Sequence, residues 1–394
     1  MNLLFNAESL RPPITGVGNY SYHLLAELMA QSLVNDVHSF TGTGWQDGTA
    51  QLAATAALKA QGGQAPVTSR LAGAVASLRH AVSRVPGTQA IYDRVMDRRF
   101  QRHAEAVPNA VYHETNYILK PYSGPCITTV HDLSHLRFPE FHPAHVVDWL
   151  ETSLARSLAR ADHVITVSRL VRDEVLAHFN LDPGKVTAIH EGVDEAYCPR
   201  APADTAPVLG NYGLEHGGYV LLVATLEPRK GISTLLDAWE LLPRDLRLSY
   251  PLVMTGSSGW RNDSLKAQIS RLCGEGSVRH LGYVPSEHLP PLFSGAAVFS
   301  YPSVYEGFGL PVLDAMHSAV PVICRAGTSM AEFAEGSCLL CDSGEPGELA
   351  GHLQSLLEDG SLRRSWGDRG RAQAQKFSWG RCARETAEIY RRFA

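Results

Sequence analysis

The chain has 394 residues, of which 44% are hydrophobic and 19% are charged, and its formal net charge is −5. This balance is typical of a soluble globular protein long enough for two domains, and it excludes a largely disordered chain. The slightly acidic charge also argues against a nucleic-acid partner, which usually requires a basic domain.

The cysteines and the apolar segments indicate a cytoplasmic protein. Seven scattered cysteines favour reduced thiols over a disulfide framework. The close pair Cys338 and Cys341 lacks the further ligands of a metal site nearby, so we interpret it as structural. No run approaches 18 apolar residues, and the apolar start at residues 1–5 meets Asn6 at once. We therefore expect neither a transmembrane helix nor a secretory signal.

Short runs rich in Val, Ile and Leu alternate with longer amphipathic runs through the first half of the chain. The short runs predict buried strands and the longer runs predict helices. The strands are predicted at residues 2–5, 110–112, 126–130 and 163–167, and the helices at residues 20–29 and 145–159. This alternation is typical of a parallel sheet with helices on both faces, so we predict an α/β domain over residues 1–197.

A proline- and glycine-rich segment at residues 198–213 predicts a linker to a second α/β domain at residues 214–376. Strands are predicted there at residues 219–224, 252–255, 278–281, 297–301 and 320–323, and helices at residues 233–241 and 347–357. Residues 377–394 are predicted to return to the first domain as a helix. Two doubly wound domains arranged in this way face each other across a cleft, where ligands of open α/β sheets bind.

Residues 40–107 interrupt this alternation. Residues 53–62 are alanine-rich and predict a helix, and residues 70–102 contain seven arginines against two acids. A basic amphipathic helix can lie on an anionic membrane surface. The alternative, which we favour slightly, is a solvated helix face that covers the sheet.

Three loops contain the residue types that bind phosphate and sugar. In the first loop, Gly16 and Gly18 open the first long helix. Glycines let backbone amides approach an anion, and the amino terminus of a helix favours phosphate, although a plain tight turn is the alternative. In the second loop, Arg229 and Lys230 follow the first strand of the second domain. Two adjacent cations suit a diphosphate leaving group, and an ordinary surface pair is the alternative.

The third loop joins Glu306 to a glycine-rich turn. Gly307, Phe308 and Gly309 precede a helix predicted to begin near Leu310, and their amides are expected to point into the cleft. Asp314 lies on that helix, eight residues after Glu306. Two carboxyl groups in this arrangement can accept hydrogen bonds from sugar hydroxyls. The alternative is that Glu306 caps the helix and the second acid is solvated.

Together these residues resemble the retaining glycosyltransferases of family 4, which have the GT-B fold of two Rossmann-like domains. Glu306 and Asp314 match the spacing of that family's E-x7-E element, with Asp in the second place. Arg229 and Lys230 match its basic pair, and residues 16–18 match its glycine-rich loop. The likeness covers nearly the whole chain except residues 40–107.

The resemblance implies a role for each matched residue. Arg229 and Lys230 would bind the donor diphosphate, Glu306 would contact hydroxyls of the transferred sugar, and Asp314 would hold the ribose. The further donor contacts would be Gly16 and Gly18 from the first domain, Gly307, Phe308, Gly309 and Leu310 from the glycine-rich turn, and Tyr283 and Val284 near the base. His131 would reach the scissile region unless it is merely packed, and His113 and Asn116 would line the acceptor side.

The implied reaction retains the anomeric configuration and requires neither a metal nor a cofactor beyond the nucleotide-sugar donor. Residues 113–117 and 131–135 look like those of bacterial mannosyl- and rhamnosyltransferases of O-antigen or exopolysaccharide assembly. This favours a GDP-linked mannose or 6-deoxy-mannose donor over UDP and dTDP sugars. The expected acceptor is a lipid-linked glycan at the inner face of the cytoplasmic membrane, with a possible peripheral contact through residues 70–102.

Two other functions remain open from the sequence. A sugar-nucleotide 2-epimerase can share the GT-B fold, and a non-catalytic sugar-nucleotide-binding protein could retain the second acid as a remnant. A nicotinamide dehydrogenase is disfavoured, because Ser21 occupies the third glycine position of GxGxxG and the acid about 20 residues later is missing.

Overall fold

The computed structural model describes residues 1–60, 88–257 and 263–394. Within them the chain forms two α/β units, each built on its own sheet. The strands are β1 (Asn2–Asn6), β2 (Val37–Phe40), β3 (Trp45–Asp47), β4 (Ala110–Glu114), β5 (Cys126–Val130), β6 (His163–Thr166), β7 (Val186–Ala188), β8 (Val220–Val223), β9 (Leu252–Thr255), β10 (Val278–Gly282), β11 (Val298–Tyr301), β12 (Val322–Arg325) and β13 (Leu339–Cys341).

Helices cover both faces of each sheet. Those of the first half are α1 (Gly16–Ala30), α2 (Gly48–Ala60), α3 (Thr88–Ala104), α4 (Ser134–Arg137), α5 (Ala144–Arg160) and α6 (Arg169–Phe179). Those of the second half are α7 (Pro202–Gly210), α8 (Ile232–Leu241), α9 (Arg244–Ser249), α10 (Asp263–Gly274), α11 (Leu289–Ser294), α12 (Leu310–His317), α13 (Ala331–Ala334), α14 (Pro346–Glu358), α15 (Gly360–Ala374) and α16 (Trp379–Tyr390).

The first sheet has the strand order β3-β2-β1-β4-β5-β6-β7, and the second has β10-β9-β8-β11-β12-β13. Every pairing is parallel except that of β3 with β2. β4 and β5 are buried along their whole length, as expected for central strands of a parallel sheet that is covered on both faces. The nine strands predicted from the sequence are confirmed.

The strand order reverses next to the first strand of each sheet. β1 lies between β2 and β4, and β8 lies between β9 and β11. The connections on the two sides of such a reversal diverge and leave a crevice at the carboxyl ends of the strands, where open α/β sheets bind ligands. We call the crevice between β1 and β4 the first switch point and the crevice between β8 and β11 the second switch point.

The segment predicted as a linker is partly folded. Residues 202–210 form α7, whose Thr205 and Leu209 are buried and which packs against α11 of the second unit. Pro202 occupies the first turn of α7, where its missing amide hydrogen removes no helix hydrogen bond. The proline-rich composition therefore marked the start of a short helix within this segment.

The carboxyl-terminal helix α16 lies against α1 of the first unit. The Gln31 amide donates to the Gly380 carbonyl, and Arg384 donates to the side-chain oxygen of Gln31. The rings of Trp379 and His23 stack with their centroids 5.1 Å apart. These contacts place the end of the chain on the first sheet, although the second sheet precedes it in sequence.

The basic stretch is described only from α3 onward, and residues 70–87 lie outside the described residues. On α3, Arg94, Arg98 and Arg99 are exposed, whereas Phe100 is fully buried. α3 therefore presents a basic face away from the sheet. No helix in the described part of the chain combines the length and the apolar character needed to cross a membrane.

Candidate active site

The centre of the second switch point is formed by two cations that follow β8. Arg229 and Lys230 lie on a 3-10 turn, Pro228–Lys230, which ends at Gly231 with φ of 65°. A Cβ at Gly231 would lie 2.2 Å from the carbonyl oxygen of Pro302, so only glycine fits there. This turn directs both cations towards the loop that follows β11.

Glu306 receives the charges of both cations. Its Oε1 lies 2.6 Å from Lys230 Nζ, and its Oε2 lies 3.4 Å from Arg229 NH1. The hydroxyls of Tyr301 and Ser303 also donate to Oε1, at 3.1 Å and 2.7 Å. Burial alone would raise the pKa of Glu306, but Lys230 and Arg229 hold this pKa below its ordinary value. The group is therefore a fixed carboxylate whose orientation is set by four donors.

The glycine-rich turn after Glu306 touches the first unit. A Cβ at Gly307 would lie 1.9 Å from the carbonyl oxygen of His131, and one at Gly309 would lie 2.5 Å from Met330 Cγ. Gly309 has φ of 106°, which glycine adopts without strain, and it caps the start of α12. Both glycines are thus required by close approach. Leu310 begins α12, as predicted from the sequence.

The Phe308 side chain is not exposed in the cleft. It is 2% exposed and packs among the rings of Phe333, Phe377 and His190. Its carbonyl accepts a hydrogen bond from the Ser329 hydroxyl at 3.2 Å. Phe308 therefore anchors the turn in the core and leaves only its backbone for a ligand.

Asp314 is partly buried on α12, near Asp194 and Glu191 of the segment that joins the two sheets. Burial raises the pKa of Asp314 well above its ordinary value, and the two neighbouring carboxylates raise this pKa further, while Lys59 opposes the shift.

A cavity of about 320 Å³ lies between the two units, and Lys59, which acts electrostatically on Asp314, lines it. We call it the donor-side cavity, because several of the predicted donor contacts line it. Gly16, at the amino terminus of α1, contributes one wall, and Thr225 and Gly256 contribute the wall opposite. Tyr283, which is 52% exposed, and Val284 also line the cavity. The structure thus brings together three of the predicted donor contacts from both units.

Two residues predicted to contact a ligand are enclosed by the protein. A Cβ at Gly18 would lie 2.5 Å from the Ser9 carbonyl and 2.9 Å from Ile14, so close packing against the segment before α1 already requires glycine here. His113 has no exposed surface, and its ring nitrogens bond the hydroxyls of Tyr390 and Thr129 at 2.6 Å and 2.8 Å. Burial lowers the pKa of His113 to about 3, so it is a neutral core residue and not an acceptor ligand.

His131 and Asn116 lie nearer to exposed surfaces. His131 is 8% exposed, its Nε2 lies 2.8 Å from the Thr115 carbonyl, and its Nδ1 lies 3.7 Å from Glu191. Asn116 is exposed on the wall of a separate cavity at the first switch point. His131 thus meets the glycine-rich turn through its backbone, while its ring is held within the first unit.

Comparison with known proteins identifies the family. The sequence profile of glycosyltransferase family 4 matches residues 14–197, and that of glycosyl transferases group 1 matches residues 213–373. The chain is 36% identical over 391 residues to an O-antigen chain mannosyltransferase B of Escherichia coli, with 99% of this chain and 100% of the relative covered. The chain belongs to glycosyltransferase family 4.

Solved structures of low sequence identity show that this family 4 glycosyltransferase has the GT-B fold. WaaG, a glycosyltransferase involved in lipopolysaccharide biosynthesis, aligns with a TM-score of 0.68 at 14% identity over 99% of both chains. A sucrose-phosphate synthase from Thermosynechococcus elongatus aligns with a TM-score of 0.69 at 18% identity, over 100% of this chain and 98% of that one.

Two residues that lie where the units meet escaped the sequence analysis. Lys59, at the end of α2, lines the donor-side cavity with its Nζ 4.5 Å from the centre of the Tyr22 ring. Burial lowers the pKa of Lys59, although Asp194 and Asp314 oppose the shift. No motif marks this residue, because α2 belongs to the segment outside the family likeness.

The second missed residue, Glu332, joins the two units. Its carboxylate accepts hydrogen bonds from the backbone amides of Arg169 and Leu170, at 3.0 Å and 2.8 Å, and lies 2.7 Å from His190 Nε2. Glu332 therefore caps the amino terminus of α6 from the other unit. A lone glutamate on a four-residue helix gives no sequence signal of such a contact.

Proposed function

We propose that this glycosyltransferase moves mannose, or the related 6-deoxy-mannose rhamnose, to a hydroxyl of a growing lipid-linked glycan in O-antigen synthesis. The favoured donor is a GDP-sugar, ahead of UDP and dTDP sugars. The observation that carries the proposal is the cluster of Lys230, Arg229 and Glu306 at the second switch point. The full-length similarity to an O-antigen chain mannosyltransferase supports the choice of sugar.

The two cations act on the leaving diphosphate. Lys230 and Arg229 stabilise the negative charge that develops as the bond to the sugar breaks, and they do so without a metal. Glu306 and Glu227 offset part of their charge within the protein. The amino terminus of α1 at Gly16 and the ammonium of Lys59 line the donor-side cavity and add positive potential there.

The carboxylate of Glu306 orients the sugar and does not attack it. Four donors hold this group, and such a carboxylate is a weak nucleophile because attack would sacrifice its charge-assisted hydrogen bonds. The transfer therefore proceeds on the face of the leaving group through an oxocarbenium-like state, and the departing phosphate accepts the proton of the acceptor hydroxyl. The anomeric configuration of the donor is retained, and Asp314 holds the ribose.

Because the proposed acceptor is a lipid-linked glycan, the proposed location of the enzyme is the cytoplasm at the inner face of the membrane. The exposed arginines of α3, namely Arg94, Arg98 and Arg99, suit a peripheral contact with anionic lipid headgroups. Each such cation contributes about 1 kcal/mol near an anionic surface, so the contact depends on ionic strength.

The test is a donor screen with the purified enzyme. GDP-mannose, GDP-rhamnose, UDP-glucose and dTDP-rhamnose are each incubated with a mannose-terminated oligosaccharide on a lipid-like aglycone. Release of nucleoside diphosphate is measured with and without this acceptor, and NMR assigns the anomeric configuration of the product. We expect transfer from a GDP-sugar with the donor configuration retained.

Each other outcome contradicts part of the proposal. Transfer with inverted configuration excludes the front-face mechanism. Conversion of the donor into a sugar isomer without acceptor identifies an epimerase, and tight binding of a donor without turnover identifies a binding protein. Transfer that is abolished by a chelator and restored by Mg²⁺ refutes the metal-independent role of Lys230 and Arg229.

A further inference from the structure

A tyrosine next to Glu306 links the second unit to the first. Tyr305 is buried in the loop between β11 and α12 of the second unit. Its hydroxyl donates to Glu174 Oε2 on α6 at 2.6 Å and accepts a hydrogen bond from the Leu133 amide at 2.9 Å. Both partners belong to the first unit, so the phenol side chain crosses the boundary between the two units directly beside the carboxylate of the candidate active site.

The surroundings of the phenol in the first unit hold it in one orientation. Burial raises the pKa of Tyr305, and Asp132 and Glu174 raise this pKa further, so the hydroxyl keeps its proton and donates it to the carboxylate. Arg137 Nε lies 3.3 Å from the other oxygen of Glu174. The Phe138 ring packs against the tyrosine ring with the centroids 5.6 Å apart. The side chain therefore has a polar anchor and an apolar contact in the first unit.

The backbone of the same residue holds one of the two cations. Arg229 NH1 donates to the Tyr305 carbonyl at 3.2 Å and lies 3.4 Å from Glu306 Oε2. The Val304 amide donates to the Arg229 carbonyl at 2.8 Å. The loop that carries Tyr305 and the turn that carries Arg229 are thus joined by two hydrogen bonds, and a displacement of the loop would also move the guanidinium.

Successive residues of this loop contact different units. Tyr305 reaches the first unit, whereas Glu306 Oε1 faces Lys230 of the second unit at 2.6 Å. The backbone at Gly307 then passes close to the His131 carbonyl of the first unit. Contacts with the first unit therefore flank Glu306 on both sides along the chain and set its position relative to that unit. The contact of Tyr305 is made by a side chain, so a substitution can remove it alone.

The second unit contacts α6 at two places. Glu332, which follows β12, caps the amides of Arg169 and Leu170 at the start of the helix. Glu174 lies one turn further along and receives Tyr305, which follows β11. Two contacts along one helix fix the angle between the units more firmly than a single contact, and one of the two is made by the loop of the active-site carboxylate.

We propose that Tyr305 is a positioning residue for the transfer. Its hydroxyl, bound by Glu174 and Leu133 of the first unit, holds Arg229 and Glu306 in the arrangement that the reaction requires. This role rests on the proposed glycosyl transfer, and the tyrosine acts through the cation and the carboxylate beside it. Precise placement matters because a displacement of about 1 Å can lower the rate of an enzyme by about a hundredfold.

The first variant, Tyr305→Phe, removes only the hydroxyl and is studied by steady-state transfer with donor and acceptor varied separately. We expect kcat to fall by about tenfold to a hundredfold, because the reacting groups are no longer held in place. The donor KM, and the Kd of the nucleoside diphosphate measured by calorimetry, should change by less than about twofold, since the interactions that bind the ground state remain. A split of this kind between kcat and KM distinguishes positioning from a loss of folded enzyme.

Tyr219→Phe is the matched control. Tyr219 is fully buried in the second unit, and its hydroxyl donates to the Leu292 carbonyl at 2.6 Å. Both variants lose one buried hydroxyl, so both should lower the free energy of unfolding. Only Tyr305→Phe should lower kcat, because the hydrogen bond of Tyr219 stays within one unit.

Variants of Glu174 show whether the phenol acts through its contact with the first unit. Glu174→Gln keeps an oxygen that accepts from the hydroxyl and should retain most of kcat. Glu174→Ala should lower kcat as Tyr305→Phe does. The double variant of Tyr305→Phe and Glu174→Ala should lose little more than either single variant, because both changes remove the same contact.

Hydrogen exchange of the Val304 amide measures the position of the loop without turnover. Because this amide donates to the Arg229 carbonyl, it should exchange faster in Tyr305→Phe but not in Tyr219→Phe. If no donor is turned over and this difference is found, the proposed function fails while the hold of Tyr305 on the loop stands. If transfer occurs and Tyr305→Phe matches wild type in both kcat and exchange, the positioning role fails alone.

Three further results would overturn the positioning role. The first is a loss of kcat in Tyr305→Phe that is no greater than the loss in Tyr219→Phe. The second is a double variant in which the losses of Tyr305→Phe and Glu174→Ala multiply, since the two side chains would then act independently. The third is a lower kcat without faster exchange of the Val304 amide.

Discussion

At the second switch point, two cations surround the buried carboxylate of Glu306. At the first switch point, the buried carboxyl group of Glu114 lies among further acids and amides. The two carboxyls follow equivalent strands of similar sheets. Lys230 and Arg229 lower the pKa of Glu306 despite its burial, while burial raises the pKa of Glu114 to about 7. The same topology thus places a buried carboxyl group at each switch point, and the neighbouring side chains decide whether that group is charged.

Removing Lys230 should have the largest effect on activity. Loss of one preorganised donor to a developing oxyanion typically lowers kcat by about 10²- to 10³-fold, so we expect Lys230→Ala to lose activity on this scale. It should also lower the free energy of unfolding by about 3–5 kcal/mol, because Glu306 keeps its buried charge without its nearest partner. Steady-state kinetics and denaturant unfolding measure the two effects separately.

Lys230→Arg is the matched control, since it keeps the charge and should recover part of the stability. A folded Lys230→Ala enzyme with near-normal kcat would contradict the catalytic role of the second switch point and remove the contrast with the first.

Glu114 should make the stability of the enzyme depend on pH in the direction opposite to Glu306. Its pKa is about 7 in the folded protein against an ordinary value of 4.5, so folding favours the protonated form. The stabilisation is complete below pH 4.5 and is lost as the pH rises through 7. At pH 8 this costs about 3 kcal/mol of unfolding free energy.

Glu114→Gln should therefore flatten the pH dependence of stability between pH 4.5 and 7.5, as measured by urea unfolding at several pH values. A wild-type stability that rises over this range relative to the variant would show that Glu114 is ionised at low pH, as Glu306 is.

The contact between the units should depend on Glu332. Its carboxylate caps α6 across the cleft, and loss of a cap typically costs about 0.5–2 kcal/mol, so Glu332→Gln should lower the unfolding free energy by about 1 kcal/mol. His190 and the two amides hold the pKa of Glu332 below its ordinary value despite its burial, so this contribution is lost as the pH falls through that depressed pKa.

Small-angle scattering of the same variant should show a larger radius of gyration. Glu335→Gln, at an exposed position next to α13, is the control and should behave as wild type. Identical stability and scattering for the two variants would mean that the cap does not hold the units together.

The smallest effect is expected at Lys59. Because it adds a cation to the donor-side cavity, Lys59→Met should weaken nucleoside diphosphate binding by about threefold to tenfold, measured by calorimetry. Binding of the nucleoside without phosphate should not change. An equal loss for both ligands would show that Lys59 offsets the charges of Asp314 and Asp194 rather than binding the phosphate. Lys185→Met, which lies outside the donor-side cavity, is the control.

Much of the second unit could be predicted from the sequence. Most of its strands are largely apolar, and the residues of its switch point lie in short motifs after two of them, at 229–230 and 306–309. The strands that the sequence did not predict, β2, β3, β7 and β13, have only three or four residues. β2 and β3 mix polar with apolar residues, and β7 and β13 have only three residues, so none of the four carries an apolar pattern that separates it from a loop.

The first unit was harder to predict, because packing against distant segments decides what surrounds each of its polar side chains. His113 and Glu114 are consecutive in β4, so they point to opposite faces of the sheet. The return of α16 covers the face of His113 and leaves Glu114 at the cavity, and this depends on a helix 277 residues away from His113 along the chain. Both residues are buried, and residue type alone could not show which of the two would face the cavity.

The sequence by itself determined the cluster of Arg229, Lys230 and Glu306, because the cations, the carboxylate and the glycines beside it lie in motifs with set spacing. Only the tertiary structure decided which residues line the two cavities. The cavity at the first switch point is lined by the loop after β1, the loop after β4 and the helices α3 and α5. The donor-side cavity is lined in part by Lys59, which lies on a helix without any motif. Such sites depend on which distant segments pack together, since no single segment carries enough of the lining to be recognised.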